Sequence, residues 1–309
     1  MPDDFKTLAD LAIINDANAS DLGATDIFDA VPFLNALAAE ETDGDTHKYV
    51  KESGAPVVGF RSVNAGIEYD KSSDTLVTVT LKLLDASMRV DKALADQYRL
   101  GPDAFMAREA SRHLRAALKV AEKQILMGTI GGAAAGFAGL ANALAGGSMV
   151  HYGDTGGNAL TSIYLVRTND MGTDCQVILG NDGRITIDPY MPQEVQDGSG
   201  LKYHAYVAAI MGWIGLQIGG AKSVGRIANV GNTTGDTCDD DLLTKGLELF
   251  PAEAMPNMIV MNKRSLWQLQ RSRTFTSPTG AMAPLPTEFM GIPIITTDSL
   301  VPGETALVP

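Results

Sequence analysis

The chain has 309 residues, 45% of them hydrophobic and 20% charged, with 32 glycines and 14 prolines. This is the make-up of a globular protein with a sizeable core, and it excludes a disordered or collagen-like chain. The 37 acids and 24 bases leave a net charge of −13, which argues against gripping a phosphate backbone as the main task.

Charge is uneven along the chain. Residues 1–45 hold eleven acids, Asp26 and Asp29 among them, against Lys6 alone, so this arm carries −10 and the remainder only −3. Within it Leu8, Leu11 and Ile14 share one helical face. So do Ile27, Val31 and Leu34, with Pro32 where a helix start tolerates it. Met1-Pro2-Asp3-Asp4 lacks the basic and apolar regions of a secretory signal. Residues 47–51 read as a short strand, and 75–83 alternate Leu76, Thr78, Thr80 against Val77, Val79, Leu81. Between them lies a long polar excursion, so the two strands form an extended hairpin with an unusually long tip.

The strongest helix spans 102–127. Pro102 suits its first turn, Asp103 complements its dipole, and Gly128 stops it. At ~1.5 Å per residue it is about 39 Å long. Ala107, Ala110, Leu114, Ala117, Leu118, Ala121 and Ile125 line one face, and Arg108, Arg112, Arg115, Lys119 and Lys123 the face almost opposite. Counting Glu109 and Glu122 against those bases, the stretch 104–123 carries +3.

The next stretch reads mainly as strands: 162–167, 175–179, a hairpin at Asn181-Asp182-Gly183 leading into 184–187, then 202–209, 214–218 and 224–230. Helices follow at 239–249 and 263–271, with strands at 258–261 and 292–296. The fold class is α+β, with late strands returning towards early ones. Two uncharged runs, 124–153 and 203–221, are too rich in glycine and alanine to read as membrane spans.

No chemistry emerges. The stretch 215–223 has Ala221 between Gly220 and Lys222 and is no phosphate loop. The glycines of 128–139 follow a helix and match no dinucleotide fingerprint. The four histidines are scattered, Cys175 and Cys238 are far apart, and the acids at 236–241 lack the spacing of a calcium loop. No catalytic residue, cofactor or metal ligand is expected.

The order of elements, with several local phrases, resembles the Hong Kong 97-type major capsid proteins of tailed bacteriophages. The phrases are Phe60-Arg61-x-x-Asn64-x-Gly66, Phe137-x-Gly139-Leu140, Thr161-Ser162-Ile163-Tyr164-Leu165-Val166, Arg226-Ile227-Ala228-Asn229 and Phe289-x-Gly291-Ile292-Pro293-Ile294. The resemblance implies an N-terminal arm (1–45), an E-loop (46–87) and a P-domain (88–157) with its spine helix. It further implies an A-domain (158–279, with an insertion around 160–220) and a return to the P-domain (280–309). It implies a structural coat protein that self-assembles into an icosahedral shell in the host cytoplasm, as hexamers and pentamers. A separate scaffolding protein and a portal protein would be its partners, a decoration protein stays open, DNA contact is non-specific at most, and no membrane is involved.

On this reading the assembly surfaces are the loop tip, with Val57, Val58, Phe60, Arg61 and Ile67, and the basic stripe of Arg108, Arg112, Arg115 and Lys119, screened by Asp26 and Asp29 of the arm. Lys71 is the loop lysine that could enter a Lys–Asn cross-link between subunits; no such bond is expected, since the sequence identifies neither the carboxylate nor the Asn that must meet it in a desolvated cluster. An α+β hydrolase with an unrecognised site and a β-rich binding module remain as alternatives.

Overall fold

The computed structural model describes residues 30–54, 56–67, 71–129, 136–153, 159–169, 172–232, 237–275 and 282–308. Its elements begin with α1 (Pro32–Ala36), β1 (Ala39–Glu41), β2 (Thr46–Gly54), β3 (Ser73–Thr80), β4 (Lys82–Asp85) and β5 (Met88–Asp91). Next come α2 (Lys92–Asp96), α3 (Pro102–Met127), α4 (Leu140–Ala143), β6 (Val150–Tyr152), β7 (Thr161–Val166) and β8 (Cys175–Leu179). β9 (Thr186–Ile187), β10 (Met191–Gln196), β11 (Lys202–Ala208), β12 (Ile210–Ile218) and β13 (Val224–Val230) follow. The chain closes with α5 (Asp240–Leu247), β14 (Met258–Met261), α6 (Lys263–Phe275), β15 (Glu288–Phe289) and β16 (Ile292–Thr296).

A six-stranded sheet, β15-β16-β14-β7-β13-β6, is covered on both faces. Tyr164, Val166, Val224 and Val260 face a core shared with α1, α3 and a second sheet. Ile163, Leu165, Ile227 and Ile259 pack on Leu243 and Leu247 of α5 and Leu266 and Leu269 of α6. Strands buried on both faces read as continuous apolar runs rather than alternations, and every residue of β7 is buried. Asp239 caps α5, its side chain accepting from the Leu242 N–H at 2.8 Å, and Asp240 pairs with Arg273 at 2.7 Å. Those acids are therefore spent on a helix start.

The second sheet runs β1-β8-β12-β4, with β9 also on β12. Here the expected hairpin at 181–183 is corrected. Asn181, Asp182 and Gly183 do adopt positive φ, but β8 and β9 do not pair with each other. Leu179 pairs with Ile214 and Thr186 with Met211, so residues 180–185 bulge out of one edge that β12 completes. The turn residues dictate the local bend; the partner comes from thirty residues further on.

The acidic arm is also corrected in part. Residues 1–29, with Asp26 and Asp29, lie outside the described residues, but 31–41 form no projecting arm. Val31, Phe33, Leu34 and Leu37 are fully buried, Ala38 donates to Thr168 Oγ1 at 3.0 Å, and β1 joins β8 in parallel. Helix α1 has no capping side chain at Val31; the cap comes from Glu122 of α3. Its Oε2 accepts the N–H groups of Phe33 and Leu34 at 3.1 Å each, which places an anion at the helix N-terminus. Its Oε1 accepts from Ser299 Oγ at 2.8 Å and from Thr297 Oγ1. One buried carboxylate thus ties together the start of the described chain, the long helix and the returning C-terminal segment.

Helix α3 ends as the sequence expects, for a different reason. Gly128 is not left-handed; a Cβ there would lie 2.3 Å from Gln124 O and 2.6 Å from Phe137 O. A Cβ on Gly139 would lie 2.5 Å from Gln124 O, so the phrase Phe137-x-Gly139-Leu140 is the close docking of a loop onto the helix end. Of the expected buried stripe, Ala117, Leu118, Ala121 and Ile125 are buried, but Ala107 is exposed. The first turns pack instead through Met106 against Met88, Ala95 and Tyr206, in a small core closed by α2 and a β10-β11-β5 sheet.

The C-terminal segment is strapped across β13. Arg226 and Glu304 form a buried pair at 2.7 Å, and the guanidinium also donates to Ser162 Oγ and to the carbonyls of Ala141 and Leu144. Asn229 exchanges two hydrogen bonds with the backbone of Leu307. The phrase Arg226-Ile227-Ala228-Asn229 therefore presents two strap-holding side chains. Phe289-x-Gly291-Ile292 is the two-residue hairpin between β15 and β16, with Met290 and Gly291 both at positive φ.

Candidate assembly interface

Among the described residues, strands β2 and β3 pair only with each other, from Thr46↔Thr80 to Gly54↔Ser73. The expected strand 75–83 is two strands: Thr80 ends the hairpin, Leu81 is buried, and β4 crosses into the second sheet opposite β12. The excursion therefore closes at Thr80, short of residue 87. One face of the hairpin, with Tyr49, Lys51, Val77 and Val79, leans over a cavity of about 530 Å³ whose far wall includes Leu144, Met149, Leu216 and Ile218. Tyr49 donates its hydroxyl to Ile218 O at 3.0 Å, and burial pushes its pKa up. On the outer face Val50 and Leu76 stand opposite each other, both exposed.

The tip has little to cover it. Val57 and Val58 are exposed and Phe60 entirely so; Ile67 is half-buried, with a Cβ on Gly59 only 3.5 Å from its Cδ1. Arg61 is spent within the loop, donating to Ala65 O at 3.2 Å across a turn in which Asn64 takes φ +65°. Val63, exposed at the same tip, was not picked out by the sequence, nor were Val50 and Leu76. The signal for Val50 and Leu76 is the alternation that half-buries Tyr49 and Val77. Lys71 is exposed at the base of the excursion.

On α3 the basic side chains Arg108, Arg112, Arg115, Lys119 and Lys123 are all exposed, and Arg112 pairs with Glu109 at 2.5 Å. Glu122 does not belong with them. It is buried at the flank of that face, so the solvent-exposed part is more basic than a count along the sequence implies.

The described residues offer little to reaction chemistry. Cys175 and Cys238 are buried, and burial pushes both thiols up. Among the described residues no three His, Cys, Asp or Glu side chains are grouped to hold a metal ion, and no helix is long and apolar enough to cross a membrane.

The model of the major capsid protein GP7 family matches residues 30–308. The chain belongs to that family. Copies of this capsid protein build the phage head shell and reside in it; its work is structural, not enzymatic. Among solved structures, a chain of bacteriophage Epsilon15 is 19% identical with a TM-score of 0.59, the match covering 92% of this capsid protein and 96% of that chain. A chain from the procapsid of bacteriophage JBD30 is 11% identical with a TM-score of 0.48, over 94% and 99% respectively. The Epsilon15 likeness shows the Hong Kong 97-type fold. No curated protein matches this capsid protein by sequence.

Proposed function

We propose that the β2–β3 hairpin is the arm by which each subunit grips its neighbour in the head shell, in hexamers and pentamers. One observation carries this: Val57, Val58, Phe60 and Val63 stand exposed on a loop that the described residues of its own subunit do not cover. Apolar groups held that far from a core are a liability in a monomer and an interface in a lattice. In this reading 46–80 acts as the E-loop, α3 as the spine of the P-domain, and the sheets and helices of 158–279 supply the A-domain. A map of assembled particles should show the tip lying on an adjacent subunit, and the same particles should run as one monomer band on a denaturing gel, without a ladder through Lys71. Tips folded back over their own cavity would overturn the proposal.

The exposed basic stripe of α3 supports a second contact. In the proposed shell it faces acidic residues 1–29 of the same or a neighbouring subunit, Asp26 and Asp29 included, ahead of an acidic scaffolding protein or the packaged DNA; portal and decoration proteins would meet other surfaces. Each exposed pair is worth only ~0.2–1 kcal/mol, so the effect belongs to the set and weakens with salt. Arg112→Glu with Arg115→Glu should reduce shell yield several-fold at low salt, and Asp26→Lys with Asp29→Lys should restore part of it. Unchanged yield and salt dependence in the double variant would remove the contact.

A further inference from the structure

Three buried oxygens on one face of the second sheet have no hydrogen-bond partner among the described residues: Glu40 Oε2, Gln176 Oε1 and Gln217 Oε1. They come from three adjacent strands. Glu40 on β1 stands opposite Ile178 on β8, two residues along the same face from Gln176, and Gln176 stands directly opposite Gln217 on β12. Both glutamines are fully buried. Their amide nitrogens are already committed: Gln217 Nε2 donates to Gly172 O at 2.6 Å and Gln176 Nε2 donates to Asn169 O. These bonds fix which end of each amide is oxygen. Glu40 approaches the same turn, since a Cβ on Gly172 would lie 4.0 Å from its Oε2.

Carboxylate and amide oxygens can only accept. Buried acceptors are normally satisfied, and one water has two protons for three oxygens. A set of hard oxygen ligands without a donor is the chemistry of an alkaline-earth ion. We propose that Glu40, Gln176 and Gln217 bind a divalent cation, Ca²⁺ in preference to Mg²⁺, with water completing its shell. A set dominated by neutral amide oxygens suits calcium's larger, more tolerant coordination better than the strict octahedron of magnesium. With one carboxylate in the set, the affinity falls at the weak end, with Kd about 10⁻⁴–10⁻³ M. The ion would clamp β1, and with it the buried segment 31–41, onto β8 and β12. This site is independent of the hairpin's grip on a neighbour.

The test uses the full chain stripped with EDTA. Calorimetric titration with CaCl₂ should show one site per chain, and about 10 mM Ca²⁺ should raise Tm by a few degrees, with Mg²⁺ raising it less. Glu40→Gln should abolish the calcium response while leaving the EDTA melt nearly unchanged. Gln217→Glu, which adds a second carboxylate to the set, should tighten calcium binding roughly tenfold. Superimposed melts in Ca²⁺ and EDTA without binding heat would overturn the proposal, as would a calcium response that survives in Glu40→Gln.

Discussion

Glu122→Ala should lower the stability of the folded subunit by about 3–5 kcal/mol, the largest loss expected from one surface-inaccessible polar side chain here. The carboxylate is buried and accepts four hydrogen bonds, two from backbone N–H groups of α1 and two from Thr297 and Ser299 hydroxyls. The hydroxyls can turn to other partners. The two N–H groups cannot, and each orphaned buried donor costs about 1–3 kcal/mol, with the lost helix cap contained in that sum. At about 2–4 °C per kcal/mol for a chain of this size class, the melt should fall by roughly 10 °C. Glu122→Gln keeps an acceptor for the N–H pair and offers its NH₂ to the hydroxyl oxygens, so it should cost less than half as much. Hydrogen exchange at Phe33 and Leu34 should accelerate in the alanine variant. A melt within 1 °C of the parent would show that α1 is held by its apolar contacts alone.

Glu122 shows where the helical period alone does not decide. At ~100° per residue it lies about 20° from Arg115 and about 40° from Leu118, on the border between the basic and apolar faces. Counted with the basic stripe along the sequence, it is in the structure a polar residue inside a core, met there by the N–H groups of α1 and the Thr297 and Ser299 hydroxyls. The helix itself was legible because Pro102, the 3.6-residue period and Gly128 agree with one another. Strands β8, β13 and β14 were legible as short runs buried on both faces, and β16 as a short apolar run.

The elements that were not legible owe their existence to distant partners. β1 and β6 have three residues each, β5 has four, and β10, Met191–Gln196, contains Pro192 and only scattered apolar positions. Nothing local makes such segments strands; β8, β13 and β11 do so by offering edges. The same limit governs the 181–183 turn and the break at Leu81. Among the assembly residues, Val57, Val58 and Phe60 were legible as apolar groups stranded in a polar loop. The approach of Ile67 to Gly59 and the internal bond of Arg61 were not, because both depend on how the loop folds over itself.

The central claim is that the subunit's fold and its assembly reside in separable parts of the chain. Deleting residues 57–70 removes the tip while leaving most of the β2–β3 ladder, the Tyr49–Ile218 bond and the buried Leu81 in place. Because no described residue of the tip belongs to any of the three buried cores, its loss should shift the melt by no more than about 1 kcal/mol, the range of surface changes. Burial of four exposed apolar side chains at about 1.5–3 kcal/mol each would be lost from every contact between neighbours, which is enough to abolish a lattice built on repeats of it. The decisive measurement is negative-stain microscopy of the deletion variant beside its melting curve: a parental melt without shells is predicted, and normal shells from the tipless chain would contradict the account.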